Sequence, residues 1–218
     1  MKQTQDSQLL TDKAQEALWS ALRSGKLRDG QFLSVSQLVD LLGYPIAAVR
    51  DAVKHASTLG LLTTLPKRGV QVMEVRPETI RECLDFRLVL DQEGARRRIS
   101  QNVLSGLDDL RQRHEEMGKT AEKAKGRNSS LKAIEVDLSL HDYLAEGLRN
   151  SLLATAYSAN RMRMAIIQNV RPFLLDRIKP AMEEHLSIID ALVIRDAEAV
   201  AQAIRYHHDQ TLRWWGVT

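Results

Sequence analysis

The stretch SVSQLVDLLGYPIAAVRDAVKHASTLGLLTTLPKRGVQV, residues 34–72, decides the fold of the N-terminal part of this chain. Its first half carries two short helical patterns. Ser34 is suited to cap the first of these helices, and Gly43 is suited to end it. Pro45 fits the first turn of the second helix, because proline needs no N–H partner there. Two short helices joined by a glycine-containing turn predict a helix-turn-helix.

The second half of the stretch predicts a β-hairpin. Residues 61–65 and 70–75 are β-branched and partly alternating, and the tetrapeptide Pro-Lys-Arg-Gly at 66–69 is typical of a turn. Any surface hairpin can carry a basic turn, but a hairpin directly after a helix-turn-helix favours the wing of a winged helix. An amphipathic helix over residues 9–22, ended by glycines at 25 and 30, precedes the motif.

Helical patterns fill the rest of the chain and predict an antiparallel bundle. Helices are expected near residues 77–100, 104–125, 131–149, 151–176, 180–194 and 197–215. Breaks are expected at Asn102, 126–130, Asn150, Pro180 and 195–196. Pro172 should kink or end its helix, and Asp196 is a natural N-cap. The predicted fold is mostly α, with a winged helix-turn-helix at 1–75 and an all-α bundle at 76–218.

Composition restricts the class of protein. The 218 residues are 44% hydrophobic and 27% charged, and Cys83 is the single cysteine, which excludes an intrachain disulfide framework and a thiolate zinc cluster. The apolar runs are too short for a transmembrane helix, and the N-terminus lacks a secretory apolar core. We therefore expect a soluble, cytoplasmic protein. The net charge of +3 is compatible with an anionic partner without establishing one.

Three segments resemble a known family of regulators. ALRSGKLRDGQFLSVSQLVDLLG (21–43) and VRDAVKHASTLGLLTTLPKRGVQV (49–72) resemble the winged helix of GntR-family regulators, and ECLDFRLVLDQEGARR (82–97) is similar to the first helix of the FCD effector domain. The resemblance implies a homodimeric transcriptional regulator that binds a palindromic double-stranded operator, responds to a small organic acid and is not an enzyme. Repression is the commoner mode in the family.

The recognition helix departs from the family pattern at its start. The chain has Pro-Ile-Ala-Ala at 45–48 where the family commonly has a Ser-Arg-Thr-Pro-like stretch. Ile46 cannot donate a hydrogen bond to a base edge, so the usual operator contacts are not expected here. The candidate DNA-binding residues are Ser34 and Ser36 for a phosphate, Arg50 and Lys54 on one helix face, and Lys67 and Arg68 at the wing tip. For Ser34 alone, the role of a plain helix cap is favoured.

A candidate metal site lies in the C-terminal half. Asp137 and His141 are four residues apart and therefore share a helix face, whereas His185 and His207 belong to two later predicted helices. By spacing alone, a helical ion pair of Asp137 and His141 and core roles for the other two histidines are favoured over a metal site. The resemblance implies a metal site, because metal-binding FCD domains use Asp-x-x-x-His followed by two further histidines. Such ligands suit Zn²⁺, Ni²⁺ or Mn²⁺.

Further expectations concern the effector. In similar domains the carboxylate of the effector binds the metal, and a buried anion also favours a cationic partner. The candidate effector-binding residues are Arg87, Asn150, Arg161 and Arg163. Asn150 is alternatively a helix cap, and the histidines at 55, 114 and 208 fall outside the ligand pattern.

Two other readings remain open from the sequence. The bundle could be a mononuclear metal-dependent enzyme, with Glu183 or Glu184 as the only clear general acid or base beside the ligands. It could instead be a metal-stabilised dimerisation module that senses nothing.

Overall fold

The structure is a computed structural model that describes residues 2–121 and 126–217, with side chains from 8 to 121 and from 129 to 217. Its elements in chain order are α1 (Lys2–Arg23), β1 (Phe32–Leu33), α2 (Val35–Leu42), α3 (Ile46–Thr58), β2 (Leu62–Leu65), β3 (Gly69–Val72), α4 (Pro77–Ser100), α5 (Leu107–Ala121), α6 (Gly126–Glu146), α7 (Ser151–Val170), α8 (Leu175–Val193) and α9 (Ala197–Trp215). Helices dominate, and the predicted fold class of a winged helix followed by an α-helical domain is confirmed.

The helix-turn-helix has the caps that its sequence predicts. The hydroxyl of Ser34 accepts a hydrogen bond from the backbone N–H of Gln37 at 3.1 Å, and the side chain of Gln37 accepts one from the N–H of Ser34 at 2.8 Å. Gly43 ends α2 with φ +74°, a conformation that glycine adopts without strain. The recognition helix α3 follows directly, with Pro45 at its N-cap.

The three strands form an antiparallel sheet in the order β1-β3-β2, so the predicted hairpin is present. Its close pairing with β1 depends on Gly69, whose φ is +105°. A Cβ atom at this position would lie 2.3 Å from the carbonyl oxygen of Leu33. Only glycine therefore allows β1 to approach the base of the wing.

In the bundle, α4 and α6 approach each other at two glycines. A Cβ on Gly94 would lie 2.1 Å from the carbonyl oxygen of Leu144, and one on Gly147 would lie 2.6 Å from the carbonyl oxygen of Gly94. Residues about one turn before this crossing, Asp91 on α4 and His141 on α6, are consequently within hydrogen-bond distance. The close crossing therefore helps to place one of the predicted metal ligands.

The contacts between Cα atoms divide the chain into two compact units. One contains residues up to Thr79 together with Arg161–Val170, and the other contains Ile80–Asn160 and Arg171–Thr218. The C-terminal part of α7 thus groups with the winged helix, although the sequence placed all of α7 in the C-terminal region. No helix in the described ranges is long and apolar enough to cross a membrane.

Two predicted helix breaks are wrong. Residues 126–130 open α6 instead of forming a loop, and Pro180 lies inside α8 rather than before it. Flanking residues of α8, among them Ile178 and Met182, are completely buried, and this packing offsets the backbone cost of an interior proline.

The other predicted helix ends agree better with the structure. The fourth bundle helix ends at Val170, just before Pro172, and Asp196 accepts hydrogen bonds from two backbone N–H groups at the start of α9. Helix α5 begins at Leu107 rather than at 104, and residues 122–125 of its predicted range lie outside the described residues.

Candidate metal centre and nucleic-acid interface

Three helices of the C-terminal unit bring four potential metal ligands together. Asp137 and His141 come from α6, His185 from α8 and His207 from α9. All four side chains are buried, and each offers one ligand atom such that these atoms lie within 4.8 Å of one another. The i, i+4 spacing on α6 explains why its two side chains point the same way. The packing of the helices brings His185 of α8 and His207 of α9 beside these two side chains.

Two of the histidines are held by carboxylates through Nδ1. The Nδ1 atom of His141 lies 2.7 Å from Oδ2 of Asp91, and the Nδ1 atom of His207 lies 2.8 Å from Oε2 of Glu184. A carboxylate behind Nδ1 favours the tautomer that has its proton on Nδ1. The Nε2 lone pair of each ring is then available to a metal ion.

Burial favours the neutral form of the two central imidazoles. It lowers the pKa of His207 to about 3, although the hydrogen bond to Glu184 partly opposes the shift, and it lowers the pKa of His185 well below its usual value. Burial also raises the pKa of Asp91 to about 8, with Arg87 partly opposing the shift. A cation beside His141 would favour the ionised form of Asp91 and so strengthen its hold on the ring.

The donor set fits a divalent metal ion. The Nε2 atom of His185 lies 3.2 Å from Nε2 of His207 and 3.5 Å from Oδ1 of Asp137. Neutral imidazole nitrogens and a carboxylate oxygen are the ligands that zinc, nickel and manganese accept in proteins. The cluster of Asp137, His141, His185 and His207 could therefore hold such an ion.

The winged helix presents a groove between α3 and the hairpin. Its lining includes the exposed basic residues Arg50 and Lys54 on α3 and Lys67 in the turn of the wing. Arg68 is exposed beside Lys67. On α2, Ser36 is exposed, whereas Ser34 uses its hydroxyl as a helix cap. Positive side chains on both walls suit the groove to a phosphate backbone.

The wing turn holds a lysine in an unfavourable backbone conformation. Lys67 has φ +61°, and the N–H of Arg68 donates to the carbonyl of Leu65 at 3.0 Å. With proline at the second position and a positive φ at the third, this is the arrangement of a type II turn, in which glycine is the usual third residue. A lysine there costs about 1–2 kcal/mol in backbone energy.

The start of the recognition helix is apolar at its exposed positions. Ile46 is 47% exposed and Ala47 is exposed, whereas Ala48 belongs to the core. Of the apolar residues expected at this helix start, only Ile46 and Ala47 are therefore available to contact a ligand such as a thymine methyl group.

Residues 82–210 match the model of the FCD domain family. The chain belongs to the FCD family. It also shares its fold with Escherichia coli McbR/YncC, at 19% identity over 95% of this chain and 97% of that one, with a TM-score of 0.74. A Rhodococcus sp. RHA1 protein described as a GntR transcriptional regulator gives 21% identity, 94% and 97% coverage, and a TM-score of 0.71.

A third solved structure, described as Lar of Listeria monocytogenes, is 11% identical and covers 94% of this chain and 96% of its own, with a TM-score of 0.61. Among curated proteins no sequence matches the chain. The resemblance to the FCD domain, stated from the sequence, is confirmed, and the fold is shared with a protein described as a GntR transcriptional regulator.

The FCD protein brings one of its four candidate effector residues to the cluster. Arg87 is 5% exposed, and its charge lowers the pKa values of Asp91, His185 and His207. Among the described residues Arg87 has no hydrogen bond and no salt bridge. It is thus a buried cation beside the four potential ligands.

The structure places the other candidates elsewhere. Asn150 is exposed and caps α7, because its Oδ1 accepts hydrogen bonds from the N–H groups of residues 152 and 153. Arg163 donates to the carbonyl oxygen of Leu59, at the end of α3, at 2.6 Å. Arg161 is half-buried in the segment of α7 that groups with the winged helix.

Three residues around the cluster make contacts with the candidate ligands that the sequence analysis did not predict. Asp91 and Glu184 each bond one of the candidate ligand histidines, and His114 lies completely buried against the third. No local pattern relates His114 to His185, which follows it by 71 residues. The position of Asp91 directly after the apolar run 88–90 was the available sequence signal.

Glu184 is itself paired. Arg177 donates two hydrogen bonds to its carboxylate, and both side chains are buried. The hydrogen bonds of this carboxylate therefore extend from the ligand His207 to Arg177. The other carboxylate considered from the sequence, Glu183, is exposed.

Proposed function

We propose that this FCD protein is a ligand-responsive transcriptional regulator, acting as a repressor, that binds a palindromic operator as a homodimer. We propose further that Asp137, His141, His185 and His207 hold a divalent metal ion, of which zinc, nickel and manganese are the candidates, and that the ion binds the carboxylate of a small organic acid. The observation that carries the proposal is the convergence of three buried imidazoles and one carboxylate in a chain that also bears a winged helix.

The DNA-binding part of the proposal rests on the groove between α3 and the wing. With α3 in the major groove, Arg50 and Lys54 would reach bases or phosphates, and Lys67 and Arg68 would contact the backbone beside it. Two copies related by a two-fold axis would place their recognition helices about one helical turn apart on a palindrome.

The effector part of the proposal rests on charge. Four protein ligands leave room for one or two more at a five- or six-coordinate ion, and the metal would supply a Lewis acid for a carboxylate oxygen. The guanidinium of Arg87 is buried without a hydrogen bond in the described part of the chain, and its charge acts on Asp91, His185 and His207. A carboxylate bound between the ion and Arg87 would compensate that charge.

The surroundings of the two carboxylates give the enzyme alternative little support. Glu184 bonds Arg177 and His207, and Glu183 is exposed. Both observations favour a binding site over a hydrolytic centre. The alternative of a metal-stabilised dimerisation module that binds no effector predicts that small acids leave the affinity for the operator unchanged.

The test of operator binding is selection of duplexes from a random DNA pool by the full-length protein. We expect an enriched palindrome, and we expect Arg50→Ala to lose that enrichment. Arg205→Ala, which removes an exposed arginine of α9, is the matched control and should select the same sequence. Salt-sensitive binding without any enriched sequence would contradict a sequence-specific regulator.

Lys67→Gly in the wing should increase the stability of the protein and weaken its binding to DNA. Glycine relieves the positive φ, so the free energy of unfolding should rise by up to about 1 kcal/mol. The loss of one phosphate contact should weaken DNA binding and reduce the slope of log K against log salt by about one. Urea denaturation and salt-dependent fluorescence anisotropy measure the two effects, and unchanged DNA affinity would remove Lys67 from the interface.

A further inference from the structure

His114 is a buried histidine that contacts the cluster without belonging to its ligand set. It lies on α5 and is completely buried. Its Nδ1 atom is 2.7 Å from the carbonyl oxygen of Leu110, and its Nε2 atom is 3.1 Å from Nδ1 of His185. Each nitrogen of the ring is therefore within hydrogen-bond distance of one defined partner.

These two contacts determine where the protons are. A carbonyl oxygen only accepts, so Nδ1 of His114 must donate to Leu110. In a neutral ring Nε2 is then the acceptor, and the proton of its hydrogen bond must come from Nδ1 of His185. The remaining nitrogen of His185, Nε2, then carries a lone pair. This nitrogen lies 3.5 Å from Asp137 Oδ1.

We infer that His114 is a positioning residue that fixes the tautomer and the orientation of His185, so that His185 Nε2 is presented to a metal ion. The inference rests on the metal site of the proposed function. His114 would bond Nδ1 of His185. In the same way, Asp91 bonds Nδ1 of His141 and Glu184 bonds Nδ1 of His207. All three ligand histidines are then held through Nδ1.

The fixed tautomers also favour the presence of a cation in the cluster. His207 has Glu184 at its Nδ1 and His185 has His114 at its Nδ1, so both Nε2 atoms are acceptors, yet they lie 3.2 Å apart. Two lone pairs at this distance repel each other unless a positive charge lies near both. A divalent ion coordinated by both rings removes the repulsion.

A neutral partner for His185 limits the negative charge of the centre. Asp137 is a potential ligand, and Asp91 and Glu184 are carboxylates directly behind two ligand rings. A third carboxylate at the position of His114 would oppose the binding of an organic acid beside the ion. The relay through His114 to a backbone carbonyl orients His185 without adding charge.

The experiment compares the zinc affinity of the full-length protein and of three variants by competition with a chromogenic chelator. His114→Phe removes the acceptor and should weaken zinc binding by about 10–100-fold, the range seen when an outer partner of a metal ligand is lost. His114→Gln places an amide oxygen near the position of Nε2 and should retain most of the affinity. Met117→Leu, a buried change on the same helix, is the control and should bind like the native protein.

The tautomers are measured directly in the zinc-loaded native protein, in which the cation removes the repulsion between the two Nε2 lone pairs. Long-range ¹H–¹⁵N correlation spectra should show the proton of both His114 and His185 on Nδ1. A proton on Nε2 of His185 would overturn the inference even if His114→Phe failed to fold.

The outcomes separate the inference from the proposed metal site. Failure of the native protein to bind zinc, nickel or manganese would reject the metal site itself. Tight metal binding by the native protein together with equal binding by a folded His114→Phe variant would reject only the role of His114. Equal weakening by His114→Gln and His114→Phe would also reject it, because the acceptor would then be irrelevant.

Discussion

Replacement of His185 by alanine is expected to abolish stoichiometric binding of a divalent metal ion. The ring is completely buried, and its Nε2 atom lies 3.5 Å from Asp137 Oδ1 and 3.2 Å from His207 Nε2, so its loss removes one of the four potential ligands. The loss of affinity should exceed the roughly 10–100-fold that follows removal of an outer partner, because a direct ligand is lost. Metal content after dialysis, measured by plasma mass spectrometry, reports the effect.

His208→Ala is the matched control for this experiment. His208 follows His207 on α9, but its ring bonds Asp85 and Asp209, so the cluster keeps all four potential ligands without it. The control should retain the metal content of the native protein. Equal metal content in the native protein and in His185→Ala would reject the assigned ligand set.

Arg177→Met should cause the largest loss of stability that we expect from a single change. Burial alone would raise the pKa of Glu184, but hydrogen bonds from His207 and Arg177 lower the pKa below its usual value, so Glu184 is charged. Removing the guanidinium leaves that buried charge without its cationic partner. The free energy of unfolding should fall by about 3–5 kcal/mol, as expected when a buried ion pair loses one member.

Urea denaturation of Arg177→Met and Arg111→Met compares the loss of unfolding free energy at a buried ion pair with the loss at an exposed one. Arg111 pairs with Asp190 on the surface, and the side chain of Asp190 is 63% exposed. Its loss should cost no more than about 1 kcal/mol. Equal effects of the two substitutions would show that the Arg177–Glu184 pair contributes no more than an exposed one.

Local sequence signals predict the winged helix well. The capping of α2 by Ser34, its end at Gly43 and the hairpin turn depend on residues that are neighbours along the chain. Pro180 shows where such reasoning stops. A proline is a reliable break only where tertiary packing does not oppose it, and the buried face of α8 does oppose it here.

The candidate metal site was only partly predictable for the same reason. Asp137 and His141 are visible through their i, i+4 spacing, and the family resemblance supplied His185 and His207. Asp91 lies 50 residues from its partner His141, and His114 lies 71 residues from its partner His185. No local sequence pattern connects the members of either pair. Their roles depend on how α4 and α5 pack against the ligand helices.

Two of the candidate effector residues show how local and tertiary roles compete. Asn150 precedes a helix, and its side chain serves as the cap that this position favours. Arg163 lies on α7, and its guanidinium binds a backbone carbonyl at the end of α3. The run NRMRM at 160–164 carries no sequence signal that identifies the partner of either arginine.

The central claim is that a metal ion in the Asp/His cluster couples an organic acid to DNA binding. The most direct measurement is the affinity for the selected operator, determined by fluorescence anisotropy for metal-loaded native protein and for His185→Ala, with and without a panel of small mono- and dicarboxylic acids. We expect at least one acid to shift the operator affinity of the native protein and to leave that of His185→Ala unchanged. Operator affinities that no acid shifts, or that shift equally in both proteins, would contradict the account.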